Sequence, residues 1–293
     1  YFGEDSWEKA EIKAIKDNLA LMSKKLGKQN SKVDLVIGAD LLNQISASTY
    51  GCLGYGEAFI GVYGACSSSV LEMIIASNFI DSGQIENAIA LVSSHNMTSE
   101  KQFRNPTEYG APKPNSATFT ATGSASIYLT NKKTDVRVEC ATLGKIIDYG
   151  ENDPNDMGRV MTPGAVDTLI KHFEETGRTP QDYDLILTGD LGRYGKEILK
   201  DYMLEKYNYD MSKNYNDCGV MLYDLEKQSE VLAGGSGPVC SALVNYGYIY
   251  DQLKKKKLKK VLLVATGALF SPLLIYQKQN INSIAHAISL EAV

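Results

Sequence analysis

A cysteine followed by three serines, Cys66-Ser67-Ser68-Ser69, lies where a β-branched apolar run gives way to an apolar run of helix length, within FIGVYGACSSSVLEMIIASNFI (59–80). Phe59, Ile60, Val62 and Tyr63 predict a buried strand, Gly64 and Ala65 a tight turn, and Val70 to Ile80 a buried helix. At such a junction, unpaired backbone N–H groups and the helix dipole concentrate partial positive charge. That setting lowers a thiol pKa or holds an anion. The same residues also suit a buried structural cysteine with serine capping the helix, and spacing alone leaves both readings open.

The remaining chemistry-bearing residues are few. Five cysteines (Cys52, Cys66, Cys140, Cys218, Cys240) make an odd count without a CxxC pair, as expected of reduced thiols. Only His95, His172 and His286 supply imidazole, so we expect no His/Cys metal site and no cofactor. The chain is 44% hydrophobic and 22% charged with a net charge of −5, a balance that excludes a nucleic-acid binder.

Positioning these residues requires alternating helices and short buried strands. Ser6 to Leu26 reads as an amphipathic helix, with Asp5 and Glu8 as N-cap and partner and Gly27 as its stop. VDLVIGAD (33–40) and NAIALVSSH (87–95) read as buried strands, with ASIYLT (125–130) and VRVECATLGKII (136–147) as further ones. Residues 96–122 read as a long polar loop, of a length usually tied to function or an interface. The chain opens at Tyr1 without an initiator methionine or signal peptide. A start on a helix cap leads us to expect an earlier segment, including a first strand.

The second half repeats the first. After a helix over Pro163 to Glu175, YDLILTGDL (183–191) aligns with VDLVIGADL (33–41), pairing Asp190 with Asp40. GGSGPVCSALVNYGYIYDQL (234–253) is a Gly-rich turn into a helix in the place of the Cys66 turn, and KKVLLVATGA (259–268) aligns with ENAIALVSSH (86–95). The expected fold class is therefore α/β, two duplicated halves over 1–135 and 136–293 with mainly parallel sheets. The uncharged stretch 261–276 falls short of the roughly 20 residues that a membrane span needs and reads as a buried strand and loop. The lysines at 254–257, 259 and 260 read as a solvated helix end.

This duplicated half with a cysteine at a buried helix start resembles the thiolase and ketoacyl synthase superfamily, a layered α-β-α-β-α arrangement. ADLLNQI (39–45), GACSSS (64–69), SSHNMTSEKQFRNPTEYG (93–110), NDPNDMG (152–158), TGDLG (188–192), DCG (217–219), AGGSGPVCSA (233–242) and INSIAHAI (281–288) are closer still to one branch of it. They are similar to the stage V sporulation AD family of endospore-forming bacteria. The resemblance implies a protein that binds dipicolinic acid (pyridine-2,6-dicarboxylate), as free acid or calcium chelate. It also implies work in uptake into the spore and release at germination, beside membrane-embedded subunits of the same channel. The protein would be peripheral at the spore inner membrane and a possible homodimer.

The condensing enzymes of this superfamily join the cysteine to a histidine and a further histidine or asparagine from second-half loops. Here Asp190, the loop 233–241 and Thr266 stand at those places, and none offers an imidazole. We therefore expect a retained pocket with Cys66, Ser67 and Ser68 at one helix start and Gly234, Gly235 and Ser236 at a second. Together the two starts would clamp a molecule with two carboxylates. His95, Asp40 and Asp190 are further candidates at its wall, Asp40 and Asp190 equally as turn caps. His286 could face the cavity too. Arg104, Lys101 and Lys113 could add charge, and Tyr63 and Phe270 could stack on a ring. An acyltransferase using Cys66 as nucleophile is the alternative.

Overall fold

The inner strands of this chain bury both faces, and that double burial dictates the layering. In the computed structural model, which describes residues 2–27 and 32–293, β1 (Leu35–Ala39) sends Val36 to an outer core with Ile15 and Leu19. It sends Leu35, Ile37 and Ala39 to a central one. The same period of two recurs in β3 (Asn87–Ser94) and β10 (Lys260–Leu269).

In chain order, α1 (Trp7–Leu26), β1, α2 (Ser46–Cys52), β2 (Ala58–Gly61), α3 (Ser68–Asp81), β3, α4 (Asn96–Phe103), β4 (Phe119–Thr120) and β5 (Gly123–Thr130) come first. Then follow β6 (Val136–Leu143), α5 (Met157–Thr176), β7 (Leu185–Thr188), α6 (Gly192–Tyr207), β8 (Tyr215–Asp217) and α7 (Cys218–Leu222). The chain closes with β9 (Gly235–Ser236), α8 (Pro238–Ala242), α9 (Tyr250–Lys254), β10, α10 (Pro272–Tyr276) and β11 (Asn282–Ala292). One sheet has the order β2-β1-β3-β5, parallel except for β5. The other has the order β6-β11-β10-β7-β8, with β11 antiparallel to both of its neighbours.

The central core lies between the sheets and takes in Val70, Met73 and Ile74 of α3 with Val239 and Ala242 of α8. A π-helical stretch, Leu243–Ile249, joins α8 to α9. Helix α1 covers the first sheet, and α5 and α6 cover the second, giving five layers, α-β-α-β-α. The chain passes between sheets after Thr130 and before Val136.

Several local expectations change. Ser6, not Asp5, caps α1 by accepting from the Lys9 amide, because Asp5 is engaged with the Lys9 ammonium and Glu8 with Lys101. Residues 96–103, read as loop, are helical, since the His95 ring nitrogen caps the turn by accepting from the Met97 amide. Helix α5 begins at Met157, six residues before Pro163, because Asp156 caps it at the Arg159 amide. Strand β2 is an edge strand paired only with β1, so Phe59 is over a third exposed. Residues 261–269 of the uncharged stretch lie in β10, and among the described residues no helix is long and apolar enough to cross a membrane.

Candidate functional site

Cys66 sits in the short turn that links β2 to α3, and its neighbours brace that turn. The Ser67 hydroxyl donates to the Gly64 carbonyl at 2.6 Å, and the Ser68 hydroxyl donates to the Ala65 carbonyl at 2.8 Å while accepting from the Gly64 amide. Ala65 is held at φ +50°, a left-handed conformation that costs a non-glycine residue about 1–2 kcal/mol. The turn presses against β10 so closely that a Cβ on Gly267 would lie 2.6 Å from the Gly64 carbonyl oxygen. One residue further on, the Ser69 and Ser241 hydroxyls meet at 2.7 Å, tying α3 to α8 between the sheets.

The side chain facing Cys66 from the second half is Asp190. Its carboxylate accepts from the Thr266 hydroxyl (2.7 Å), the Ser236 hydroxyl (3.0 Å) and the Gly237 amide (2.9 Å), and its charge acts on the neighbouring Cys66 thiol. Burial pushes the Asp190 carboxyl above its ordinary value. Burial, and after it the neighbouring Asp190 charge, pushes the Cys66 thiol well up. A thiol in that setting is held away from its thiolate, the opposite of an activated nucleophile. The helix-start donors expected to clamp an anion have internal acceptors: the Gly237 amide bonds Asp190, and the Ser67 amide bonds the Gly64 carbonyl.

Beside this network lies a cavity of about 40 Å3, lined by Tyr63, Cys66, Ser99, Arg104, Ser236 and Phe270 among others. Among the described residues no histidine lines it. A larger cleft of about 650 Å3, with Asn43, Gln44 and Gln102 in its wall, shares Tyr63, Phe103 and Phe270 with the cavity, so these three rings divide the two. Phe103 and Phe270 pack at 5.2 Å between centroids. Arg104 bonds Glu100 and the Pro154 carbonyl, and Lys113 bonds the same Glu100, whereas Lys101 points away to Glu8.

Other sequence candidates lie apart from the cavity. Asp40 is buried and accepts from the Leu42 and Ser48 amides, which makes it a turn cap. His95 caps α4 and packs its ring on Trp7 at 5.5 Å. His286, paired with Ala265 across β11 and β10, accepts from the Gly144 amide, and burial lowers it to about 4. Gly234, at φ +141°, lets the chain pass Gly219, whose oxygen would be 2.8 Å from an added Cβ. Gly235 and Ser236 form β9 against β4, and of these two only Ser236 reaches the cavity.

Sequence reasoning passed over Ser99, Thr120 and Asp217. Asp217 accepts from Thr188, Leu191, Gly192 and Gly219 and is pushed by burial to about 7. Ser99 was legible only through helical spacing, four residues before Phe103 on α4.

The family model described as Stage V sporulation protein AD matches residues 1–291. The Stage V sporulation protein AD of Bacillus subtilis (strain 168) is 44% identical over 290 residues, 98% of this chain and 84% of that protein. Among solved structures, the 3-oxoacyl-[acyl-carrier-protein] synthase III of Aquifex aeolicus VF5 superposes with a TM-score of 0.57 at 15% identity, over 98% of this chain and 85% of that one. Synthase III of Pseudomonas aeruginosa PAO1 gives 0.59 at 10% identity, over 99% and 84%. OleA of Xanthomonas campestris gives 0.62 at 14%, over 98% and 83%. At these identities the structural likeness carries the fold alone.

Proposed function

The chain belongs to the Stage V sporulation protein AD family, a thiolase-like fold, and from that premise we propose that it is a non-catalytic binding subunit for pyridine-2,6-dicarboxylate in spore formation and germination. The observation that carries the reading is the Asp190 carboxylate lodged against the Cys66 thiol. It fills the place where a condensing enzyme needs an imidazole, and it holds the thiol protonated. A cavity that has kept its position but exchanged a base for a fixed acid suits recognition rather than acyl transfer. The protein works beside membrane-embedded partners at the spore inner membrane, as a peripheral subunit, and pairs with a second copy.

Calorimetric titration with pyridine-2,6-dicarboxylate tests this. Saturable heat with the diacid, much weaker with pyridine-2-carboxylate, is expected. A flat trace with the diacid, with or without calcium, overturns the binding reading.

The acyltransferase alternative is favoured by one observation, the strained Ala65 next to a Cys66 that lines the cavity. Formation of a Cys66 thioester with acyl-thioester substrates, seen by mass spectrometry, would support it.

A further inference from the structure

The stop of α3 and the stop of α9 are the same turn built twice. In the first, the Gly83 amide donates to the Ile80 carbonyl, and the Gln84 and Ile85 amides donate to that of Phe79. In the second, the Lys256 amide donates to the Leu253 carbonyl, and the Lys257 and Leu258 amides donate to that of Gln252. The repeat thus aligns Asp81-Ser82-Gly83-Gln84-Ile85-Glu86 with Lys254-Lys255-Lys256-Lys257-Leu258-Lys259. A left-handed residue closes each turn, Gly83 at φ +73° and Lys256 at φ +55°. Glycine takes that conformation freely, whereas a lysine is strained in it. The turn has no structural need of lysine and keeps it against a conformational penalty.

All five lysines of the second turn are exposed. The helix dipole accounts for Lys254 alone, the one in the last turn of α9, because its field fades beyond that turn. Three acids lie among the five. Asp135 meets Lys254 at 3.9 Å, Asp251 meets Lys255 at 2.7 Å, and Asp184 accepts from the backbone amides of Lys259 and Lys260. Lys256, Lys257 and Lys259 have no ion pair among the described residues. Lys132 and Lys133 adjoin on the crossover before β6, but Asp81 shares their cleft and Glu86 bonds the same crossover through its carbonyl. The positive surplus is therefore confined to the turn between α9 and β10.

We infer that this turn is a docking surface for an anionic lipid bilayer. The inference rests on the peripheral-subunit reading above and names the face that meets the membrane. Residues 254–260 hold neither an arginine fork nor an aromatic ring, the groups that single phosphates and bases select, so they suit a diffuse field of negative charge. The protein's net charge of −5 is repelled by the same field, and docking therefore needs positive charge segregated on one turn. Strand β10 sets what faces away. It runs from Lys260 to Leu269, roughly 30 Å, and the cavity lined by Ala268 and Phe270 lies at its far end. A bilayer bound at the turn leaves that cavity open to solution.

Co-sedimentation of the purified protein with lipid vesicles decides this. Wild type should bind phosphatidylcholine vesicles that carry about 30% phosphatidylglycerol at about 0.1 M salt, and should release them at about 0.5 M salt. Pure phosphatidylcholine should not retain it, and equal binding to both vesicles would overturn the inference. Lys256→Gly and Lys257→Gln, the residues of the first-half turn, combined with Lys259→Gln should weaken binding about 100-fold, about five-fold for each lysine. Lys256→Gly alone should raise the melting temperature while binding falls, which a purely structural role would not produce. Lys9→Gln, Lys101→Gln and Lys145→Gln together make the same charge change at ion pairs elsewhere and should shift binding less than two-fold. If wild type binds and the turn variant binds within two-fold of it, the membrane is met elsewhere, and the inference fails while the peripheral reading stands. If wild type ignores the anionic vesicles the inference also fails, and retention on polyglutamate would then mean that the lysines read an acidic protein segment. The peripheral reading fails by a separate result, absence of the protein from the membrane fraction of wild-type spores.

Discussion

At the scale of the residue, Cys66 and Asp190 decide how the pocket behaves. A thiolate beside the Asp190 charge in a buried site would face both desolvation and repulsion, which is why its pKa is displaced upward. Alkylation runs through the thiolate, so iodoacetamide at pH 7.5 should modify Cys66 several-fold more slowly than a free thiol, as read by peptide mapping. Asp190→Asn removes the charge and keeps one acceptor oxygen, enough for the Ser236 hydroxyl and the Gly237 amide but not also for Thr266, and it should raise the Cys66 rate several-fold. Rapid labelling of the wild-type residue would mean that the thiol is activated and would turn attention to acyl transfer. The two acids matched by the repeat also part company here. Asp40 caps the turn after β1, but in the second half Asp217 does that work at the Leu191 and Gly192 amides, leaving Asp190 to reach Gly237.

At the scale of the element, the site depends on β10 passing directly behind the Cys66 turn. Gly267→Ala would place a methyl 2.6 Å from the Gly64 oxygen and 3.1 Å from the Ser67 amide, both rigid backbone. Overpacking of this kind costs about 1–3 kcal/mol. A lower melting temperature together with faster Cys66 alkylation is the expected pair of effects, since the turn must move outward. A fall in melting temperature with an unchanged alkylation rate would show that the strain goes elsewhere. Most of the elements around this contact were legible in the sequence, because β1, β3, β7 and β10 are buried on both faces and read as continuous apolar runs. Helix α4 was not legible. Its residues are polar, it is held by tertiary bonds from Glu11 and Gln102 rather than by an apolar stripe, and its cap is a histidine. That loss hid Ser99. The anion clamp was misjudged for a related reason: a sequence shows that two helix starts exist but not which internal acceptors already occupy them.

At the scale of the whole molecule, the outer helix α1 is tied to the sheet and to α4 by one buried acid, and this makes stability depend on pH. Glu11 accepts from Ser93 of β3 and Thr98 of α4, and burial, then the Asp40 charge, raises it from 4.5 to about 8. A carboxyl whose folded pKa is raised gives stability that is fully present below its unfolded value and lost as pH rises through the folded one. Glu11 therefore destabilises the fold progressively from about pH 4.5 to 8, and Asp217, raised to about 7, and Glu72, raised by burial, act with the same sign. His172 and His286, both lowered to about 4 by burial, act oppositely and lose stability as pH falls from 6.5. The opposing slopes overlap between pH 4.5 and 6.5, and above 6.5 the acids act without that opposition. Denaturant unfolding at pH 7 and pH 8 should show wild type losing about 1 kcal/mol more than Glu11→Gln over that interval. The glutamine keeps the hydrogen-bonding shape without the charge, so equal losses in the two proteins would mean that Glu11 titrates normally. Because Thr98 neighbours Ser99 on α4, any hydration that relieves the buried Glu11 charge would reach the helix that carries the cavity wall. Ligand affinity should then fall across pH 7 to 8 in wild type and hold in Glu11→Gln, and a parallel fall in both would confine the effect of Glu11 to stability.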